Sequence, residues 1–291
     1  MKIALDPTPF HHSHDLLDFP YLAAELGFEW LQLTPHADLI PFFRHPKADD
    51  ALVRQLRANL DDAGVGVASI LPVQRWSSPE PAQREAAVRN WRRAVQIAVD
   101  LGVTQMNTEF SGRPERAEES EAAFYRSMEE LVPLFESEGI HVAVDPHPDD
   151  FVERGIEAWR VIRGVNSAQL GFVYVAPHTF HMEDPMDAIL DVVGNRLRVV
   201  HVADTFDHRR SHGLRYITNP PESPARVHQH LRVGDGDVDW DAFFGELQRN
   251  GFYDRADSVM VTSVFAENEN AHEVSRYQLE QMRSRVSAAR A

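Results

Sequence analysis

Histidines and carboxylates recur just past short apolar runs along this chain, and no cysteine accompanies them. The stretch from His201 to Asp239 is the densest, with His201, His208, His212, His228 and His230, five of the fifteen histidines. His228 and His230 are two positions apart, so an extended backbone turns both imidazoles to one side. Imidazoles and carboxylate oxygens without thiolates are the ligands of a site for Mn, Zn, Fe or Mg. His178, His201, His228 and His230, with Asp145, are the candidate metal ligands. His147 follows Asp145 at the same parity, and because imidazole in general can exchange protons near neutral pH it is a candidate general base or acid. Glu109 and Asp145 are the candidate catalytic carboxylates beside it. Each histidine has a plainer alternative, a hydrogen-bonded core residue. For Glu109 and Asp145 the alternative is a strand-end ion pair with Arg75, Arg113 or Arg215. Asp149 and Asp150 read as caps of a helix beginning near Phe151. His208 and His212, set among charges, read as solvated or substrate-facing; His11, His12 and His14 read as surface residues.

Short β-branched runs alternate with amphipathic segments of helical length. The strands expected are Lys2–Asp6, Glu29–Thr34, Val65–Leu71, Gln105–Glu109, His141–Asp145, Gly171–Val175, Arg198–Ala203 and Ser258–Val264. Helical patterns separate them, from Leu16–Leu26 to Trp240–Asn250, and a last one, Asn270–Ala289, follows the eighth strand. Several end in a glycine that feeds the next strand, as in AELGFEW and VDLGVTQ. Eight strand–helix units in 291 residues predict one (β/α)8 TIM barrel spanning residues 1–291. A doubly wound open sheet is the alternative, disfavoured because no GxGxxG follows the first strand. The barrel would carry a long loop after strand seven, about residues 204–239, a length usual for functional or disordered segments. In such barrels chemistry sits at the C-terminal strand ends. Arg75, Trp76 and Phe110 fall there, and Arg215, Tyr216 and Asn219 lie in the long loop. These six are candidate substrate contacts, with core packing the alternative for the aromatic rings.

The chain is acidic, with 45 Asp and Glu against 29 Lys and Arg and a formal charge of −16. That argues against nucleic acid as a partner, since phosphate backbones select basic surfaces. Without cysteine there is neither a disulfide framework nor a thiolate metal site. The N-terminal MKIALDPTPFHH reads as a first strand and not as a signal peptide, and no apolar run is long enough to span a bilayer. A cytoplasmic protein with no membrane partner is the default expectation.

Several strings together resemble the xylose-isomerase-like barrel superfamily: MKIALDP, RWSSPEPAQREAAVRNWRRAVQIAVDLG, MNTEFSGRPE, DPHPDDF, APHTFH, HVADTFDHRRSHGLRYITNPP, RVHQH and GDGDVDWDAFF. Within it the chain is most similar to the sugar-phosphate isomerase/epimerase group that includes the inositol-catabolism (IolH-like) proteins. It is also similar to the catalytic subunits of C-glycoside deglycosidases, which act on 3-oxo-glucosides with a small β-rich partner subunit. The superfamily's epimerases hold one metal on Glu, Asp, His and Glu from strands five to eight. The matching positions here are Asp145, Val175, His201 and Ser263, so two of the four ligands are absent. Endonuclease IV, in the same superfamily, binds its third metal through a histidine after strand six and an acid-x-histidine pair after strand seven. That pattern resembles His178 and His228-Gln-His230, and implies a shifted metal site completed by Asp145, Glu109 or His201.

The resemblance implies a metal-dependent isomerase or epimerase that removes a proton next to a carbonyl in a sugar or cyclic polyol. His147 would be its base or acid, with Glu109 or Asp145 assisting. Three readings stand beside it: a C-glycoside lyase subunit, a metal-free sugar-binding barrel, and an abasic-site endonuclease, which the net charge disfavours. A homo-oligomer or a small β-rich partner is compatible with the first two enzyme readings.

Overall fold

The apolar runs become eight parallel strands that pair in sequence order, and the last pairs back to the first in a closed barrel. The computed structural model describes residues 1–179, 184–207, 230–264 and 270–290. The strands are β1 (Lys2–Leu5), β2 (Trp30–Leu33), β3 (Gly66–Ile70), β4 (Gln105–Glu109), β5 (His141–Asp145), β6 (Leu170–Val175), β7 (Leu197–Val202) and β8 (Val259–Thr262). Closure runs through four parallel partners, from Lys2 opposite Val259 to Leu5 opposite Thr262. The expected barrel is therefore found, and the open sheet is not.

Outside the strands lie α1 (Phe19–Leu26), α2 (Asp50–Ala63), α3 (Pro81–Leu101), α4 (Ala117–Glu138), α5 (Gly155–Gly164), α6 (Ala176–Thr179), α7 (Met186–Val193), α8 (Trp240–Arg249) and α9 (Ala271–Arg290). The glycines closing α3 and α4, Gly102 and Gly139, take φ of 72° and 65°, left-handed values that cost a residue with a Cβ more than they cost glycine. Two elements differ from expectation. A proline in the first turn lets α1 start only at Phe19, after a separate 3-10 turn at Leu16–Asp18 capped by Asp15. The unexpected turn α6 leaves β6 directly, and it swings His178 back over the barrel.

Alternation along each strand decides which side chains meet. Ala4, Ala68, Ala143, Val173, Val175, Val199, Val259 and Val261 pack together inside the barrel. Leu5, Leu31, Met106, Val142, Phe172, Val200 and Met260 belong to the layer between sheet and helices. Small alanines and valines fill the interior, so the barrel is a packed core up to the strand ends. The next inward positions after that apolar floor are Asp6, Thr34, Asp145, His201 and Ser263.

The chain following β7 is fastened at a single carboxylate. Asp204, fully buried, accepts from the amides of Thr205 (2.9 Å), Gly234 (2.8 Å) and Val238 (3.2 Å) and from Trp240 Nε1 (2.8 Å). Its backbone pairs with Leu231 in both directions, at 2.7 and 2.8 Å. A side chain at Gly236 would collide with Asp204 Oδ1 and the Thr205 carbonyl, so that turn requires glycine. From α9, Gln278 accepts from the Val233 amide (2.9 Å) and donates to the Val202 carbonyl (3.1 Å). His230, next to Leu231, inherits a fixed position. Asp204→Ala leaves several buried donors without an acceptor, each worth about 1–3 kcal/mol before relaxation. A net loss of about 3 kcal/mol is expected in urea denaturation; a change under about 1 kcal/mol would show that this carboxylate fastens nothing.

Candidate active site

The strand ends enclose a cavity of about 340 Å3, within the range of small-ligand sites. One wall carries Asp145, His147, His178, His201 and His230, with Asn107 and Glu109 beside them. β1 and β2, across the barrel, supply Asp6, Thr8, His11 and Thr34.

The first wall is built on a buried run of hydrogen bonds. His178 Nδ1 lies 2.7 Å from Asp145 Oδ2. His178 Nε2 lies 3.3 Å from His230 Nε2. His230 Nδ1 lies 2.6 Å from the Ser263 carbonyl and 3.1 Å from Ser263 Oγ. A carbonyl only accepts, so His230 carries its proton on Nδ1. Burial lowers its pKa to about 3, against the Ser263 bond, and the nearby His201 and His147 add to the lowering. The neutral ring therefore presents a lone pair on Nε2 toward His178. Two arrangements satisfy that contact. In one, a protonated Asp145 donates to His178, whose Nε2–H donates on to His230. Burial pushes the Asp145 carboxyl well above the usual carboxylate range, and the charges of Glu109 and Asp150 push the same way. In the other, an ionised Asp145 accepts from His178 Nδ1, and two lone pairs face each other and call for a cation. Imidazoles bound at about 2.0–2.1 Å to one tetrahedral ion stand about 3.3–3.4 Å apart, which matches the 3.3 Å found. A carboxylate or carbonyl behind each imidazole is also the usual support of metal-binding histidines. The residues present thus fit two ligands of a metal. Among the described residues no group of three or more His, Asp or Glu is arranged to hold one.

Beside this run, His147 Nδ1 lies 2.8 Å from the Pro148 carbonyl and so carries a proton there. Its Nε2 stands 3.7 Å from Glu109 Oε1. The ring meets His178 edge-on at 4.6 Å between centroids. Both side chains keep about a quarter of their surface exposed, 24% for His147 and 25% for Glu109, on the cavity side. Behind them Asp150 accepts from the amides of Ser111 (2.5 Å), Gly112 (2.7 Å) and Phe151 (2.7 Å). That corrects the expected cap: α5 begins only at Gly155, and Asp150 instead ties the loop after β5 to the loop after β4.

The expected site residues divide into four groups. Asp145, His147, Glu109, His178, His201 and His230 share the cavity. His201 Nε2 lies 3.3 Å from Asn107 Nδ2, and burial lowers its pKa to about 4. Trp76 and Phe110, expected at the substrate, are fully buried in the core. Trp76 stacks on Trp91 at 4.5 Å, and its Nε1 donates to the Glu109 carbonyl (3.1 Å), so it props β4 from behind. Arg75 sits at the rim, its guanidinium 4.2 Å over the Phe43 ring. No described carboxylate pairs with it, and the expected ion pair of Glu109 with Arg75 or Arg113 is replaced by His147. His228, Arg215, Tyr216 and Asn219 lie outside the described residues. Ser263 orients His230, and Val175 closes the barrel floor. Asp6, Thr34 and Asn107 stand at strand ends in the sequence without an assigned role, and Thr8 carries no signal of its own; all four line the cavity. The signal at Asp6 and Asn107 was parity: Asp6 follows Ala4, and Asn107 precedes Glu109, at the same inward phase.

The xylose isomerase-like TIM barrel family model matches residues 20–285. The chain belongs to that family. Similar solved structures include a zinc-bound IolI protein, with TM-score 0.76 and 16% identity over 99% of each chain. A D-psicose 3-epimerase with D-tagatose, from Clostridium cellulolyticum H10, gives TM-score 0.77 and 14% identity over 98% of this chain and 99% of that one. The apo 3-keto-D-glucoside 4-epimerase YcjR of E. coli gives TM-score 0.73 and 16% identity over 98% and 99%. At such identities the likeness is one of fold. No curated protein sequence matches, and no helix among the described residues is long and apolar enough to cross a membrane.

Burial in this family barrel leaves a measurable trace at Asp6, whose carboxyl is pushed up to about 6 despite bonds from Thr8. Folding raises this pKa, so the folded state binds the proton more tightly. The group is most favourable below its unfolded value near pH 4, and that contribution is lost as pH rises through about 6. Asp6→Asn removes the titration. Relative to the parent, the variant is expected to gain about 2 kcal/mol between about pH 4 and pH 8 in urea denaturation. An equal offset at both pH values would contradict this.

Proposed function

We propose that the protein is a metal-dependent isomerase or epimerase of a sugar or cyclic polyol, which removes a proton from the carbon next to a carbonyl. The observation that carries this reading is the facing Nε2 pair of His178 and His230, set within one small cavity beside His147 and Glu109. His147 is suited to be the base: its Nδ1 proton is committed to Pro148, so its Nε2 lone pair faces the cavity. The carbon-bound proton passes to that nitrogen, the C–H pair forms a C–C double bond, and the carbonyl π pair moves onto oxygen. Return of a proton to the same carbon from the other face, delivered by solvent, gives an epimer; its return to the former carbonyl carbon, as the neighbouring hydroxyl loses its proton to become the new carbonyl and the enolate oxygen takes one up, gives an isomer. Glu109, within an ion-pair distance of His147, stabilises the imidazolium formed. A divalent cation held by His178 and His230 would supply positive charge where negative charge develops on oxygen. Imidazole donors suit Zn or Fe better than Mn or Mg. Asp145 and the Ser263 carbonyl hold those two rings in orientation.

The purified protein is expected to contain a divalent metal by elemental analysis, and His178→Ala and His230→Ala each to lose most of it. Full retention in both variants would sink the site. With 3-oxo-glucosides, ketohexoses and inososes in deuterated water, the parent is expected to exchange the hydrogen next to the carbonyl. His147→Gln should slow exchange by about 10²–10⁴-fold while leaving metal content unchanged.

A second reading is favoured by a side lobe of about 130 Å3 that shares Glu109 and His147 with the main cavity. Arg75 and Phe43 line it, and Phe42 and Phe43 are exposed at the rim. A flat second ring next to the sugar suits that platform. The same abstraction of the C2 proton of a 3-oxo-C-glucoside would then form a C1–C2 double bond as the C1–aglycone bond breaks, the aglycone leaving with that bond pair and a proton returned from the His147 imidazolium, as a lyase working with a small partner subunit. Release of the aglycone by the chain with its partner, weakened at least tenfold in kcat/KM by Phe43→Ala, would favour this reading over epimerisation.

A further inference from the structure

We infer that the wall formed by Asp6, Thr8, Thr34 and His11 is a hydroxyl-reading subsite, which selects ring-closed polyols bearing a hydroxyl opposite the reacting carbonyl. This rests on the proposed function and narrows its substrate class. In a closed eight-stranded barrel β1 and β2 stand across from β5 and β6. One wall therefore carries the acid–base groups, and the other faces whatever part of the substrate lies farthest from them.

That far wall is a connected run. Thr8 Oγ1 donates to Thr34 Oγ1 (3.1 Å), which lies 3.3 Å from His11 Nε2. The Thr8 amide donates to Asp6 Oδ1 (2.9 Å). A threonine hydroxyl has one proton and two lone pairs, so Thr8, whose one proton is shared between its neighbours Thr34 and Asp6, keeps acceptor capacity for a substrate O–H. The wall is also rigid. His11 stacks on Phe19 at 5.3 Å and meets His36 edge-on at 5.0 Å. His36 Nδ1 is itself held by the Asp38 amide (3.1 Å). Rotamers locked by packing are what a configuration-sensitive site needs.

The chemistry of the wall selects its ligand. No described lysine or arginine lines the cavity, and burial lowers His11 to about 4, so its imidazole is neutral near pH 7. Hydroxyls, a neutral imidazole and a buried carboxyl match neutral O–H groups. A six-membered ring with its carbonyl at the acid–base wall carries its opposite carbon toward Thr8 and Thr34, whereas an open chain can turn its far end elsewhere. A site built to bond a hydroxyl rejects the analogue lacking it strongly, because its own polar groups are then left unpaired.

The test uses two probes with the full-length, metal-loaded protein: 2-keto-myo-inositol and its analogue lacking the hydroxyl opposite the carbonyl. Exchange of the hydrogen next to the carbonyl is followed by NMR in deuterated water. The parent is expected to prefer the full polyol at least thirtyfold in kcat/KM. Thr8→Val with Thr34→Val should lose ten- to a hundredfold on the full polyol, mostly in KM, and less than threefold on the analogue. Thr34→Ser in the Thr8 parent background should restore the preference, which separates hydroxyl recognition from damage to the fold. Equal losses on both probes, or no preference in the parent, would overturn the inference while leaving the proposed function standing. Exchange of neither probe, nor of any ketohexose or 3-oxo-glucoside, would remove both.

Discussion

Closure of the sheet through the β1–β8 pair is the constraint on which the site depends. An open sheet has two faces, and alternate side chains would divide between them with no common centre. Once the eighth strand returns to the first, every second residue of all eight strands points at one axis. The lower turns of that axis are filled by alanine and valine. The polar residues that follow have only the mouth of the barrel to occupy, and they meet there because the register leaves them no other place.

Concentrating carboxyls and imidazoles at a low-dielectric mouth has an electrostatic cost, since burial disfavours the charged form of each. The molecule answers by direction. Carboxyl pKa values at Asp6, Asp145 and Asp150 rise, imidazole values at His11, His201 and His230 fall, and the site moves toward neutrality. Backbone groups then set tautomers: Pro148 fixes the proton of His147, and Ser263 that of His230. Those two carbonyls determine which ring nitrogens are left to face the cavity, and with them the chemistry open to the site.

The barrel was legible in the sequence because eight short β-branched runs and their glycine-ended helices repeat one local rule. That these histidines share one wall of the cavity was legible because Asp145, at the end of β5, and His147, two residues beyond it, share a phase, and His178 and His230 lie beyond strands six and seven. Two things were hidden. Whether an aromatic residue past a strand end faces ligand or core is decided by helices packed from behind, and Trp76 is claimed by Trp91 of α3, far away in sequence. The short turn α6 also has no periodicity of its own, and one helical turn decides where His178 points. The far wall was only half legible: Asp6 and Thr34 fall at strand ends in the sequence, but threonine and a lone aspartate are common there, and only the register of β1 and β2 brings them together.

The carboxylate of Asp204 has one more consequence. It gathers the chain on both sides of residues 208–229 into a single knot, with the Asp204–Leu231 bridge tied across the base. The cost of joining two positions of a chain grows only slowly with the number of residues between them, and here the join is made by groups outside the cavity. The knot acts as a socket. A lineage can rewrite what lies between its two ends, in length and in composition, while His230 stays in place.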